Sequence, residues 1–125
     1  MDQRHLAPQY HAVVAVDTKD FSGNPSAYQP LMSEAVLEVL QESFERAGLA
    51  EAWREARFSG DTGDGHFIGL ETTWLPRVLH PWLDELQQVL ERRDRELRRI
   101  DRNLRMRLRV SIHVGPLPYS GTGRR

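Results

Sequence analysis

The sequence predicts an α+β fold: an antiparallel sheet carrying two helices on one face, in a single domain. Three observations predict it. Short apolar runs stand near both ends of the chain, two long stretches between them place apolar residues at helical spacing, and a glycine-rich turn divides those stretches. A chain of 125 residues suits one domain, and a domain of this size buries roughly two-thirds of the surface its unfolded chain exposes.

Residues 12–16, Ala-Val-Val-Ala-Val, end abruptly at Asp17 and read as a strand buried on both faces. Asp17 to Pro30 carries Asp, Ser, Gly, Asn and two prolines, which is loop chemistry. From Leu31 the series Ala35, Val36, Val39, Leu40, Phe44, Ala47 follows a helix, with Pro30 at its first turn and Gly48 as its stop. Leu49 to Ala56 adds a shorter helical segment. The run Ser-Gly-Asp-Thr-Gly-Asp-Gly before His66-Phe67-Ile68 reads as the turn of a hairpin spanning 57–70. A second long helix is predicted through Leu79, Trp82, Leu83, Leu86, Leu90, Leu97, Ile100 and Leu104, with Pro81 shifting its true start. Leu108, Val110, Ile112 and Val114 then alternate with Arg109, Ser111 and His113 as a strand ended by Gly115. The order is βαββαβ, the ferredoxin-like pattern. The expected organisation is an N-terminal extension over 1–10, a domain over 11–115 and a flexible tail over 116–125.

Composition removes several classes. The 39% hydrophobic and 28% charged content is that of a soluble globular chain. No window holds about 18 apolar residues, the N-terminus lacks the apolar core of a secretory signal, and no cysteine supplies a disulfide, a thiol nucleophile or a thiolate metal site. A cytoplasmic location is expected. The net charge of −1 gives no overall pull toward nucleic acid or anionic lipid, so neither is an expected partner. Lys19 is the one lysine among 17 basic residues, a bias that GC-rich arginine codons produce without selection for phosphate binding.

In a βαββαβ sheet the first strand lies antiparallel to the third, so the end of the first sits beside the start of the third. Asp17 and Asp64 are therefore expected to converge at one sheet edge. Two ionised carboxylates about 4 Å apart repel by roughly 4 kcal/mol at an effective dielectric near 20. A shared proton, an arginine or a metal cation must offset that. Oxygen ligands without cysteine favour Mg²⁺ or Mn²⁺, which take one or two carboxylates together with substrate phosphates. Glycines 60, 63 and 65 permit close backbone approach of a phosphate. A turn role for both aspartates stands at even weight.

These residues resemble a family. Val13-Val14-Ala15-Val16-Asp17-Thr18-Lys19-Asp20-Phe21-Ser22 is similar to the first metal-binding segment of class III nucleotidyl cyclases: an apolar strand, Asp, three loop residues, then Phe-Thr. Gly63-Asp64-Gly65-His66-Phe67-Ile68 resembles their second metal motif, and 107–115 resembles their later strand ending in His-x-Gly. The three come in the family's order across roughly residues 10 to 118. The resemblance implies a signalling domain with a palm on which Asp17, Asp64 and the Thr18 carbonyl hold Mg²⁺ or Mn²⁺. Phe21, Ser22, Gly63 and Gly65 would lie around the phosphates of a purine nucleoside triphosphate. It also implies a site formed between two such domains, hence a homodimer or a hetero-partner.

Two departures qualify that implication. The asparagine and arginine that the family supplies beyond the His-x-Gly strand have no match in 116–125, and its base-selecting lysine is replaced by Gly60 and Asp61. The expectation is a truncated or degenerate cyclase-like domain, enzymatic only if a partner or a further segment completes it, with no catalytic residue assigned. The alternative is a non-enzymatic ferredoxin-like module that binds a partner or RNA through its sheet or its arginine-rich helix. Nine arginines stand between 92 and 109 without an aromatic, a pattern read first as a solvated, ion-paired face. Asp61-Thr62-Gly63 matches the aspartic protease triplet, but the helical content opposes that fold. The five histidines show no ligand spacing, and Trp53, Trp74 and Trp82 read as core or interface anchors.

Overall fold

The computed structural model describes residues 9–19, 28–58 and 65–117. Strand β1 (Gln9–Thr18) leads to helix α1 (Gln29–Arg46), the short helix α2 (Ala50–Glu55) and a hairpin of β2 (Arg57–Phe58) and β3 (Gly65–Glu71). A helical passage over 72–82, containing the single turn α3 (Leu75–Arg77), then enters helix α4 (Leu83–Ile100), and β4 (Leu108–Leu117) follows. The sheet order is β2-β3-β1-β4 with every neighbouring pair antiparallel, which is the ferredoxin-like arrangement.

Strand alternation sets the layers. Ala12, Val14 and Val16 of β1 and Ile68 and Leu70 of β3 form one core with Val36, Val39, Leu40 and Phe44 of α1 and Leu86, Val89 and Leu97 of α4. Phe44 sits between two indoles, 5.2 Å from the ring of Trp53 and 5.2 Å from that of Trp82. Trp82 is fully buried, while Trp53 and Trp74 pack partly buried against the same core, so all three are core anchors.

α1 ends as its sequence predicts. Gly48 adopts φ +78, Leu49 N–H donates to Phe44 O at 2.8 Å and Gly48 N–H to Glu45 O at 3.1 Å, a Schellman closure. The second helix is shorter than its apolar pattern at both ends. His80 is extended (φ −160, ψ 121) before Pro81, as sterics on a pre-proline residue favour, and α4 begins at Leu83, leaving Leu79 exposed. At the other end Asp101 is extended, and its carboxylate accepts the Asn103 N–H at 2.9 Å. That turn competes with helix continuation, so Leu104 is buried from a connecting segment instead. β4 runs two residues beyond Gly115, with Pro116 opposite Tyr10. β4 is a sheet edge, where a residue without an N–H is tolerated. Gln9, Tyr10, Pro116 and Leu117 thus belong to the sheet, and 1–8 and 118–125 lie outside the described residues.

Candidate functional site

The last residues of β1 carry the site's described part. With Val16 turned into the core, alternation puts Asp17 on the opposite side of the sheet. Its register partners are Gly65 on β3 and Arg109 on β4. Arg109 Nε lies 3.2 Å from Asp17 Oδ1 and Nη2 lies 3.4 Å from Oδ2, so both carboxylate oxygens are engaged by one guanidinium. The Asp17 side chain is 40% exposed and that of Arg109 70%. Lys19 N–H donates to Arg107 O at 2.8 Å, extending the β1–β4 pairing one residue further.

Of the sequence-predicted site residues, Asp17 and Thr18 end β1, and Thr18 is a buried side chain opposite Leu108. Gly65 opens β3 across from Asp17, so the segment after Asp64 starts at that edge. Asp64, Phe21, Ser22 and Gly63 lie outside the described residues. His66 is half-buried opposite Val16, and His113 is exposed opposite Val13. Arg109 was the residue that sequence reasoning passed over. The signal was available: pairing Val16 with Val110 and Val14 with Ile112 forces Asp17 against Arg109.

The donor chemistry at Asp17 fits a hard divalent cation in part. Two carboxylate oxygens at a half-exposed strand end match what Mg²⁺ or Mn²⁺ takes from a protein, namely one or two carboxylates beside water and phosphate oxygens. Among the described residues no three His, Cys, Asp or Glu side chains gather into a metal-binding group.

Part of the arginine-rich stretch is paired with carboxylates. Arg92 donates to both oxygens of Glu42 at 2.7 and 2.6 Å, Arg93 pairs with Glu38 and Glu96, and Arg98 pairs with Asp94 at 3.1 Å. With Arg46 bonded to Glu85 at 2.9 Å, the Arg92–Glu42 and Arg93–Glu38 pairs tie α1 to α4, while Arg93–Glu96 and Arg98–Asp94 lie within α4. Burial and the Arg92 hydrogen bond act oppositely on Glu42; the hydrogen bond wins and its carboxyl is held below the ordinary value of 4.5. A cavity of about 170 Å³ lies at the far end of β1, between His11, Glu55, Arg57, Glu71 and Trp74. It is six residues from Asp17 along the strand, about 20 Å at ordinary strand rise.

No helix among the described residues is long and apolar enough to cross a membrane. No family model matches the chain, and no curated protein matches it. Among solved structures the chain is similar to the guanylyl cyclase Cya2, with a TM-score of 0.55 and 15% sequence identity over 87% of this chain. The match spans 55% of that protein's length. The likeness is one of fold: the chain has a cyclase-like, ferredoxin-like α+β domain.

Proposed function

We propose that this chain is a nucleotide- and divalent-metal-binding domain of the cyclase type, with Asp17 and Asp64 as carboxylate ligands and the Thr18 carbonyl as a third. The observation that supports this reading is the register of Asp17 with Gly65, the residue after Asp64, at one edge of a cyclase-like sheet. A divalent ion there would lower the pKa of a ribose hydroxyl and neutralise phosphate charge. The chain's own part is narrower. Asp17 offers a carboxylate at a strand end, and Phe21, Ser22, Gly63 and Gly65 would lie around the phosphates. Purine nucleoside triphosphate is the ligand class, and a second domain, identical or different, would complete any catalytic site.

Calorimetry of the purified chain with ATP and GTP, with and without Mn²⁺, tests this. Metal-dependent binding that disappears in both Asp17→Asn and Asp64→Asn is the expected result. Unchanged affinity in both variants would overturn the reading.

One observation favours the second reading, a non-enzymatic interaction or RNA-binding module. Phe67 is 43% exposed, and alternation places it on the same side of the sheet as Arg57 and Arg109. The helix version of that reading is weaker, because Arg92, Arg93 and Arg98 are held by carboxylates. Salt-sensitive RNA retention that ignores Mn²⁺ and Asp17 would mark the sheet version.

A further inference from the structure

Resting on the reading of Asp17 as a metal ligand, we infer that Arg109 is the resident counter-ion of that carboxylate, which a divalent cation must displace to bind. Three features carry this. Arg109 Nε and Nη2 each take a different oxygen of Asp17, so both metal-accepting atoms are covered together. The two residues are direct register partners on β1 and β4, and the backbone pairing holds their side chains on one face, without a loop having to order first. The contacts of 3.2 and 3.4 Å are at the long end of hydrogen bonding, and both side chains are solvated, so the pair is weak enough to yield to a doubly charged ion.

Both carboxylate oxygens are taken by the guanidinium, so an incoming cation has to compete with it for them. In the metal-free protein the guanidinium offsets the charge of the Asp17 carboxylate with a positive charge already built into the sheet. Removing Arg109 takes away the competitor and its repulsion of the incoming ion. A purely structural ion pair would behave otherwise, since its loss would leave metal affinity unchanged or lower it.

The test measures Mn²⁺ binding to the full chain without nucleotide, by the loss of the free-ion electron paramagnetic resonance signal, for wild type, Arg109→Gln, Arg109→Met and Asp17→Asn. Circular dichroism confirms each fold. Tighter binding by roughly two- to fivefold in both Arg109 variants, with binding weakened in Asp17→Asn, is expected. Arg109→Met keeps the aliphatic stem, so it decides the matter should Arg109→Gln misfold. Equal or weaker affinity in folded Arg109 variants, with the Asp17 dependence intact, overturns the counter-ion role and leaves the metal reading standing. Wild-type affinity in Asp17→Asn, or no Mn²⁺ binding by any form, overturns both.

Discussion

Arg92 on α4 grips Glu42 on α1 with two parallel N–H···O bonds of 2.7 and 2.6 Å, fifty positions apart in the chain. The pair joins the two long helices over the sheet and sits at the centre of a chain of charges that includes Arg46, Glu85, Arg93 and Glu96. It sets the first prediction. The Arg92 hydrogen bond lowers the Glu42 pKa in the folded protein, so this stabilisation is fully present above the unfolded carboxylate pKa and is lost as pH falls through the folded value. Both side chains are more than a third exposed, which limits the pair to about 0.5–1 kcal/mol. Glu42→Gln should therefore cost that amount from pH 7 down to about 5 and progressively less below about 4.5. Urea melts of both proteins across pH 3–7 check it; a difference that grows on acidification would contradict the pairing.

Ser43 provides the second. Its hydroxyl accepts from the Trp82 indole N–H at 2.8 Å and donates to Leu40 O at 2.9 Å, and both side chains are fully buried. Ser43→Ala leaves the indole donor without that partner inside an apolar core, a loss of about 1–3 kcal/mol. Chemical denaturation with tryptophan fluorescence reads both the stability and the altered indole environment. A change under about 0.5 kcal/mol would mean the bond contributes nothing net.

Gly48 isolates a backbone effect. It sits at φ +78 in the Schellman closure of α1, and a Cβ built there meets no atom within 4 Å. Gly48→Ala should cost about 1 kcal/mol from the left-handed conformation alone, and Gly48→Asn less, since asparagine tolerates that region. Equal destabilisation by both would point to a steric cause instead.

Much of this fold was legible because local and global signals agree. Pro30 and Gly48 bracket α1, and the alternation of 108–114 marks β4. The errors have physical causes. Leu104 continues the apolar spacing of α4, yet Asp101 captures the Asn103 N–H and ends the helix, a competition that periodicity does not register. Gly115 reads as the stop of the last strand, yet β4 runs on to Leu117, and Pro116 is acceptable there because β4 is an edge of the described sheet. At the site, the placing of the β1 end beside the β3 start was readable from topology, and Asp17 pairs with Gly65; the expected meeting of Asp17 with Asp64 falls outside the described residues. Arg109 was missed because alternation assigns a residue to a face without naming its cross-strand neighbour; only the register of Val16 with Val110 does that.

The nucleotide reading carries a stability prediction independent of any turnover. A ligand that binds only the folded chain stabilises it by RT ln(1 + [L]/Kd), about 2.7 kcal/mol at a hundredfold excess over Kd. For a domain of this length that is a rise of roughly 10 °C in Tm. On that reading, thermal melts with Mn²⁺ and GTP or ATP together should show a rise, and either component alone a smaller one, because phosphate oxygens would complete a coordination begun by Asp17. Asp17→Asn should abolish the joint shift while leaving the ligand-free Tm within a few degrees, since Asp17 lies outside the core and its bond to Arg109 is solvated. A ligand-free Tm that falls by more than about 10 °C would instead make Asp17 a structural residue, worth more than any exposed ion pair supplies. A joint shift that survives the substitution would place the nucleotide away from the β1 edge and direct the search to the cavity beside His11 and Trp74.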